Sequence, residues 1–328
     1  MITITDISQE LQVSTATVSR ALNHSCLVAP DLGTQIRLTA DKMGYKKRDI
    51  RRHRGRAILN IKLVLPCHEE PERALFYDLS SLIEGIRSGF QLCEINLLCE
   101  PTSDSFKPYP HKKGGDINGF IFAFHQPTPD IVKELRECGT PFAVLNRDIE
   151  GLPCVASENS SGMGLLIDHL VEHRKKPIKP AFLSLDGLGQ IHTERLEGLE
   201  NAAKKHQIDF NPEKDVRYFS GIRSIKRDVI SDLMKSYNVL LCANDIVGTV
   251  VLSELERLGV SVPDQIAVTG FDDSPVRQLS RPLLTTIRMP VNILAKAAAS
   301  RLESEIIEYT RPGVTLRVPG TLVIGGTT

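Results

Sequence analysis

The sequence predicts a small all-α domain at the N-terminus, followed by an α/β body of two doubly wound lobes. Apolar residues recur at helical spacing through the first 45 residues. A strongly basic run then occupies residues 46–56. From residue 60 onward, short apolar strands alternate with helical segments. Repeated strand–helix units are typical of parallel sheets covered by helices on both faces, which is why we predict the α/β body.

The composition is that of a globular protein. The chain has 328 residues, of which 41% are hydrophobic and 24% charged. No apolar run is long enough to span a bilayer, and the N-terminus lacks the basic and apolar regions of a signal peptide, so we expect a cytoplasmic protein with no membrane partner. The seven cysteines form no CxxC pair and predict neither a disulfide framework nor a zinc site.

Charge is unevenly distributed along the chain. The net charge is zero, yet residues 1–57 hold ten Lys or Arg and five Asp or Glu. This segment therefore carries +5 and the remainder −5. A basic segment on an acidic body predicts a polyanionic partner, and the alternative is a solvated tail.

Three short helices are expected in the basic segment. Thr5 is a good N-cap for the first helix and Ser14 for the second, and the third follows Pro30 and ends at Gly44. Two helices joined by a tight turn and closed by a third describe a helix-turn-helix domain, and the alternative is a generic three-helix cap. The second helix would present small, hydroxyl-bearing or guanidinium side chains that suit a major groove: Thr15, Ala16, Thr17, Ser19 and Arg20.

The amino-acid sequence of this segment is a more specific signal than its predicted helices. The stretches TITDI (3–7), VSTATVSRALN (13–23) and MGY (43–45) closely resemble the LacI/GalR family of bacterial transcription regulators. The resemblance implies that the second helix reads operator DNA as part of a dimer. It implies base contacts from Thr15, Ala16 and Arg20, and phosphate contacts or support of the fold from Thr5, Ser14, Thr17, Ser19 and Asn23. Gln12 stands where the family usually has Gly, so we expect modest strain in that turn.

Residues 46–56, KKRDIRRHRGR, contain seven Lys or Arg among eleven residues. In the family, the matching segment is a hinge helix that wedges a Leu into the minor groove. Here that position holds Arg54, the usual small residue three positions earlier is Arg51, and Gly55 follows. Either these arginines enter the minor groove, or the segment is a flexible basic tether. Both interpretations stay open.

The body has predicted strands at 61–65, 95–98, 119–124, 142–145, 181–185, 216–219, 239–242, 266–270 and 321–324, and predicted helices near 75–91, 129–138, 161–173, 194–206, 224–236, 246–258 and 291–309. Family-like motifs recur in order: NGFI (118–121), RLEG (195–198), AND (243–245), VPDQIAVTGFDD (262–273) and PLLTTI (282–287). The resemblance implies a periplasmic-binding-protein-like fold in which two lobes close on a small ligand. Residues 102–116 are too short for the usual second helix of the first lobe and predict a loop or single turn.

We therefore predict three regions. They are a helix-turn-helix domain at 1–45, a basic hinge or linker at 46–58, and an effector-binding and dimerisation domain at 59–328. Within the last, the first lobe covers about 59–157 and 288–318, and the second about 158–287 and 319–328.

Polar residues follow several predicted strands, where open α/β sheets bind ligands. Asn244 and Asp245 follow one strand, Asp272 another, and Arg147 a third. Amide, carboxylate and guanidinium groups suit a polyhydroxylated ligand. The resemblance implies effector contacts from Arg195, Asn244 and Asp272 and ring stacking by Phe219, with Arg147 and Phe76 as further candidates. The alternative is that such residues cap helices or tie loops, and we assign Asp245 mainly to this role, as an N-cap.

No catalytic motif and no metal-ligand spacing is present, and no cofactor is expected. The leading interpretation is a homodimeric repressor that binds double-stranded operator DNA and is controlled by a small-molecule effector, a sugar or sugar derivative. A sugar-binding protein without a DNA role, a nucleobase-responsive regulator of the same architecture, and an enzyme on a doubly wound fold are the alternatives.

Overall fold

The computed structural model describes residues 4–22, 28–45, 58–66, 76–103, 106–108, 117–149, 152, 154–308 and 314–328. These residues group into two units. The first draws on Met1–Cys67, Ile86–Val155 and Ala295–Thr315, and the second on His68–Gly85, Ala156–Leu294 and Leu316–Thr328. Of the predicted DNA-contact residues, Asn23, Arg51 and Arg54 lie outside the described ranges.

The N-terminal segment folds as three helices, α1 (Ile4–Glu10), α2 (Thr15–Leu22) and α3 (Pro30–Lys42). Their inward faces form a small core of Ile7, Val18, Ala21, Ile36 and Ala40. The three predicted helices are confirmed. Thr5 is not an N-cap, because α1 already begins at Ile4 and places Thr5 inside the helix. Gly44 has a φ of +70° just after α3, as expected for a residue that ends a helix.

The strands of the first sheet are β1 (Ile58–Leu65), β2 (Glu94–Pro101), β3 (Gly119–Ala123), β4 (Phe142–Leu145) and β5 (Val155–Glu158), and the accompanying helices are α4 (Leu79–Gly89), α5 (Pro129–Glu137) and α11 (Val291–Glu308). The strands form a parallel sheet in the order β5-β4-β3-β1-β2. The central strand β3 is buried along its whole length, which explains its continuous apolar sequence. Three of these elements are divided between the two units, because residues 79–85 of α4, 156–158 of β5 and 291–294 of α11 are assigned to the second unit.

The second unit contains a parallel sheet in the order β7-β6-β8-β9 and an antiparallel pair of β10 with β12. Every residue of the central strand β6 is buried. Ala181, Leu183 and Leu185 join one hydrophobic cluster and Phe182, on the opposite face, joins another, so both faces of the sheet are covered. The helices are α6 (Asn159–His173), α7 (Gln190–Lys205), α8 (Pro212–Asp215), α9 (Arg227–Leu233) and α10 (Asp245–Arg257), and the strands are β6 (Pro180–Leu185), β7 (Val216–Phe219), β8 (Val239–Cys242), β9 (Ala267–Thr269), β10 (Thr286–Arg288), β11 (Leu316–Pro319) and β12 (Thr321–Val323).

Each predicted strand and helix of the body is present in the structure. The structure adds the strands β5, β10 and β11 and the helix α8, which have three or four residues each and are not among the predicted elements. In the predicted loop at 102–116, the described residues contain no helix, and Phe106 N donates to Ser103 O at 2.9 Å. Residues 104–105 and 109–116 lie outside the described residues, so the expected loop or single turn stays a prediction.

Candidate functional sites

The outward side of α2 carries polar side chains. Thr15 and Arg20 are exposed, and Thr17 and Ser19 are half-buried. Val18, on the opposite side, is fully buried. The helix is therefore anchored by its apolar face and presents hydroxyl and guanidinium groups outward, as contact with a nucleic acid requires. Nothing is described of the Ala16 side chain, and Thr5 is exposed on α1.

Local hydrogen bonds fix the start of α2. Ser14 Oγ accepts from the backbone N–H of Thr17 at 3.0 Å, which confirms Ser14 as the N-cap. In the preceding turn, Ser8 Oγ donates to Val13 O at 2.8 Å. Gln12 has a φ of 53°, a conformation that favours glycine. The turn thus has the geometry that a glycine would adopt without strain, as predicted.

In the second unit, Arg195 of α7 is the centre of a buried polar cluster. Its Nη2 donates to Asp272 Oδ1 at 2.6 Å, and its Nε donates to Asn159 Oδ1 at 3.0 Å. Its Nη1 donates to the carbonyl of Ala243, and its guanidinium carbon lies 3.7 Å from the centre of the Phe271 ring. The Arg195 and Asp272 side chains are 3% and 5% exposed, so this ion pair is buried.

Packing explains why Arg195 can sit so deep. A Cβ on Gly198 would lie 2.3 Å from the carbonyl oxygen of Ser160 in α6. Only glycine therefore lets α7 approach α6 this closely, one turn after Arg195. The Arg195-to-Gly198 spacing noted in the sequence thus brings the guanidinium up to Asn159, the first residue of α6.

Asp272 is held in an uncommon backbone conformation. It has a φ of 105°, and the next residue, Asp273, has a φ of 51°. The backbone N–H of Asp272 donates to Ile287 O at 2.8 Å. Asp273 pairs with Arg277 at 3.2 Å and with Arg288 at 2.6 Å. These bonds on both sides of the turn supply the support that a strained backbone position needs.

Asp245 is fully buried and stabilises the same turn. Its Oδ2 accepts from the N–H of Ser274 at 2.7 Å, and its Oδ1 accepts from Thr286 Oγ1 at 2.6 Å. Burial, and next the neighbouring Asp272 carboxylate, raise the pKa of Asp245 to about 8. Asp245 is therefore mostly protonated at neutral pH. A Cβ on Gly270 would lie 2.1 Å from Asp245 Oδ1, which explains the glycine there.

The predicted N-cap role of Asp245 is wrong, because Asn244 performs it. Asn244 Oδ1 accepts from the N–H of Val247 at 2.9 Å and caps α10. Asp245 instead ties loops together, which was the other structural role considered. The predicted effector contact of Asn244 stays a prediction, and its side-chain oxygen is already used by the helix.

The other candidates are not part of the Arg195 cluster. Phe219 is 6% exposed and belongs to a hydrophobic cluster of the second unit, so ring stacking by Phe219 stays a prediction without support from its packing. Its neighbour Tyr218 is 56% exposed and lies 2.6 Å from His192 Nε2. Phe76 packs edge-on against Tyr77. Arg147 belongs to the first unit, where its Nη1 donates to Asn146 O at 2.6 Å.

Sequence reasoning missed three members of the cluster: Asn159, Glu194 and Phe271. Asn159 and Glu194 are joined by a hydrogen bond of 2.7 Å from Asn159 Nδ2 to Glu194 Oε2. No spacing signal could have linked them, because they lie 35 residues apart on different helices. Phe271 could have been found, since it lies inside the GFDD stretch already singled out.

A buried guanidinium–carboxylate pair supplies both hydrogen-bond donors and acceptors, which is what recognition of a polyhydroxylated molecule needs. Within the described ranges, no group of three or more His, Cys, Asp or Glu residues could hold a metal ion. Among the same residues, no helix combines the length and apolar character needed to cross a membrane.

Comparison with known proteins agrees with these features. Residues 167–328 match the family model of the periplasmic binding protein-like domain. The chain is 28% identical to the ribose operon repressor of Bacillus subtilis (strain 168), an alignment that covers 98% of this chain and 97% of the relative. A LacI family transcriptional regulator from Enterococcus faecium, solved with bound ribose, superposes with a TM-score of 0.65 at 22% identity, over 82% of this chain and 98% of that one. The lac repressor dimer bound to operator and the anti-inducer ONPF gives a TM-score of 0.63 at 19% identity, over 100% and 99% of the two chains.

A helix-turn-helix domain joined to a periplasmic-binding-protein-like domain defines the protein class as a DNA-binding transcriptional regulator. More narrowly, the chain belongs to the LacI/GalR family, which confirms the resemblance seen in its sequence.

Proposed function

We propose that the protein is a cytoplasmic homodimeric repressor, and not an enzyme, whose affinity for a symmetric operator is controlled by a sugar or sugar derivative bound in the second unit. The observation that carries this proposal is the buried Arg195–Asp272 ion pair beside the carboxyl ends of β8 and β9. Parallel sheets bind ligands at that edge. A buried ion pair is costly for stability alone, and recognition of a ligand gives a reason to retain it.

The DNA-reading role is supported by α2. Thr15 and Arg20 are exposed on a helix whose opposite face is packed in its own core. We assign base contacts to Thr15, Ala16 and Arg20, and supporting contacts to the neighbouring hydroxyl residues. A two-fold symmetric operator calls for two copies of this helix, hence the homodimer.

The effector class follows from the chemistry of the cluster. Arg195, Asp272 and the nearby Asn244 offer donors and acceptors suited to hydroxyl groups. The relative named a ribose operon repressor and the regulator solved with ribose make D-ribose the first probe to use. We place the domain boundaries as predicted, with the DNA-binding domain in 1–45 and the effector domain in 59–328.

The test uses the full chain. An operator is selected from a random-sequence DNA pool, and its mobility shift is measured with and without millimolar D-ribose. We expect a symmetric consensus sequence and an affinity that changes with the sugar. Absence of any sequence preference would overturn the DNA-reading role. If D-ribose does not change the affinity for the selected operator and a nucleobase alone raises the unfolding midpoint, the effector is a nucleobase and not a sugar. Light scattering at micromolar concentration checks the dimer.

A further inference from the structure

The carboxylate of Glu194 connects two sets of donors in the second unit. Its Oε2 accepts from Asn159 Nδ2 at 2.7 Å. Its Oε1 accepts from Gln190 Nε2 at 2.9 Å and from Arg317 Nη1 at 3.0 Å. The side chain is only 18% exposed, so most of its hydrogen-bonding capacity is directed into the protein. Glu194 directly precedes Arg195, but the two side chains meet through Asn159.

The orientation of the Asn159 amide depends on this carboxylate. An amide has one accepting side and one donating side. Asn159 Oδ1 faces Arg195 Nε at 3.0 Å, and Asn159 Nδ2 faces Glu194. A rotated amide would place its N–H groups against the N–H of Arg195 and its oxygen against a carboxylate. Both contacts would be repulsive, so Glu194 selects the orientation that Arg195 requires.

We infer that Glu194 is a positioning residue of the effector site: through Asn159 it fixes the guanidinium of Arg195 in the orientation that faces Asp272. This inference rests on the proposed function, since it assumes that Arg195 and Asp272 contact the effector. Glu194 is itself held by Gln190, one turn earlier on α7, and by Arg317 at the start of β11.

The network also reaches two points where the chain passes from the first unit into the second. Two segments of the second unit begin at Ala156 and at Leu316. Asn159 lies three residues after the first of these points, and Arg317 lies one residue after the second. Glu194 hydrogen-bonds both of them. The orientation of Arg195 is therefore connected to the ends of these two segments by a continuous set of hydrogen bonds.

A carboxylate is required at this position, because a glutamine cannot replace both of its oxygens. Gln has a single acceptor, which can serve either Asn159 or the pair of Gln190 and Arg317. Glu194→Gln is nearly equal in size and removes one acceptor, so it is the most specific change. Glu197→Gln is the matched control, since Glu197 is exposed on the same helix three residues later.

The first measurement is calorimetric titration of the full chain with D-ribose. We expect Glu194→Gln to weaken binding by about tenfold or more, because Asn159, the partner of Arg195, is no longer held in a single orientation. We expect Arg317→Gln to weaken it by a smaller factor, since Gln190 still holds the carboxylate. Glu197→Gln should stay within about twofold of the unaltered protein, as expected for an exposed charge. A Glu194→Gln variant that binds D-ribose as tightly as the unaltered chain would overturn the inference.

The second measurement needs no ligand. The unfolding midpoints of Glu194→Gln, Asn159→Ala and the double variant form a cycle, and Glu197→Gln with Asn159→Ala forms the control cycle. We expect the Glu194 cycle to be non-additive and the control cycle additive. Additive behaviour in both cycles contradicts the positioning role. If the unaltered chain does not bind D-ribose, the proposed effector class fails, and this cycle still tests whether Glu194 is coupled to Asn159.

Discussion

The helix α2 and the Arg195 cluster present their polar groups in opposite ways. On α2, Thr15 and Arg20 are exposed, and the core beneath them is apolar. In the second unit, Arg195 and Asp272 are buried and bonded to each other. A surface that meets a large polyanion can leave its donors in water until the partner arrives. A site for a small molecule must exclude water, so its polar groups satisfy one another when they are removed from solvent.

This difference predicts different consequences of mutation. A substitution on the outward face of α2 removes a contact with the partner and leaves the fold intact. A substitution in the Arg195 cluster leaves a buried charge without its counter-ion, so binding and stability fall together. The predictions below test this contrast, beginning with the largest expected effect.

Asp272→Ala should have the largest effect, because it leaves the Arg195 guanidinium buried without its carboxylate. We expect a loss of about 3–5 kcal/mol in the free energy of unfolding and the loss of measurable D-ribose binding. Operator affinity at a temperature where the variant is folded should be nearly unchanged. Chemical denaturation, calorimetry and mobility shift measure the three quantities.

The control for Asp272→Ala is Asp232→Ala, which removes a carboxylate from the exposed pair with Lys235 and should cost at most about 1 kcal/mol. Should the alanine variant fail to fold, Asp272→Asn keeps the shape of the side chain and removes only the charge. A D-ribose isotherm unchanged in Asp272→Asn would sink the assignment of this pair to the effector site.

Asp245→Asn should abolish a pH dependence that is built into the buried cluster. The pKa of Asp245 rises from an ordinary 3.8 to about 8 in the folded protein. The folded state therefore holds a proton that the unfolded state releases. The associated stability is fully present below pH 4, is lost progressively as the pH rises, and is gone above about pH 8.

Asparagine mimics the protonated carboxyl of Asp245, because it can donate to Thr286 Oγ1 and accept from the N–H of Ser274. We expect Asp245→Asn to be more stable than the unaltered chain at pH 8–9, by an amount on the order of a few kcal/mol, with a difference that shrinks toward pH 4. Urea unfolding at several pH values measures it. Two parallel pH profiles would mean that Asp245 is ionised in the fold.

Arg20→Ala tests the exposed side of the comparison. Loss of a bidentate base contact costs about 1–3 kcal/mol, which is roughly a 5- to 150-fold loss of operator affinity. Affinity for random DNA and the unfolding midpoint should change little, because Arg20 is exposed. Lys42→Ala, an exposed charge on α3, is the control. Equal weakening on operator and random DNA would instead identify Arg20 as a phosphate contact.

The same contrast explains what the sequence could predict. The three helices at the N-terminus and the long buried strands carry local signals: a cap at Ser14, a glycine at Gly44 and continuous apolar runs such as β6. Asp272 and Arg195 were found because they lie in recognisable motifs. Asn159 could not be predicted as a partner of Arg195, since it is brought to Arg195 only by the packing of α6 against α7.

The error at Asp245 has a related cause. Asn244 and Asp245 are both good N-cap residues, and the sequence does not say which of them begins the helix. The choice is made by tertiary structure: Asp245 is required for Ser274 and Thr286, which come from distant parts of the chain. Asn244 is therefore left to cap α10.

Gln12→Gly should have the smallest effect, and it separates stability from recognition in the N-terminal domain. Gln12 has a φ of 53°, a backbone conformation that is less favourable for a non-glycine residue than for glycine. The greater freedom of glycine in the unfolded chain offsets part of this gain, so we expect a net stabilisation of at most about 1 kcal/mol. Gln12→Ala keeps the strained conformation and should give no stabilisation, which makes it the control.

Thermal unfolding of the full chain, followed by a probe on α2, measures the difference between Gln12→Gly and Gln12→Ala. Operator affinity should be unchanged in both variants, because the turn is anchored by the Ser8–Val13 hydrogen bonds and the base-contacting face is untouched. If Gln12→Gly weakens operator binding while raising stability, the Gln12 side chain itself contacts DNA, and the turn would then belong to the recognition surface together with α2.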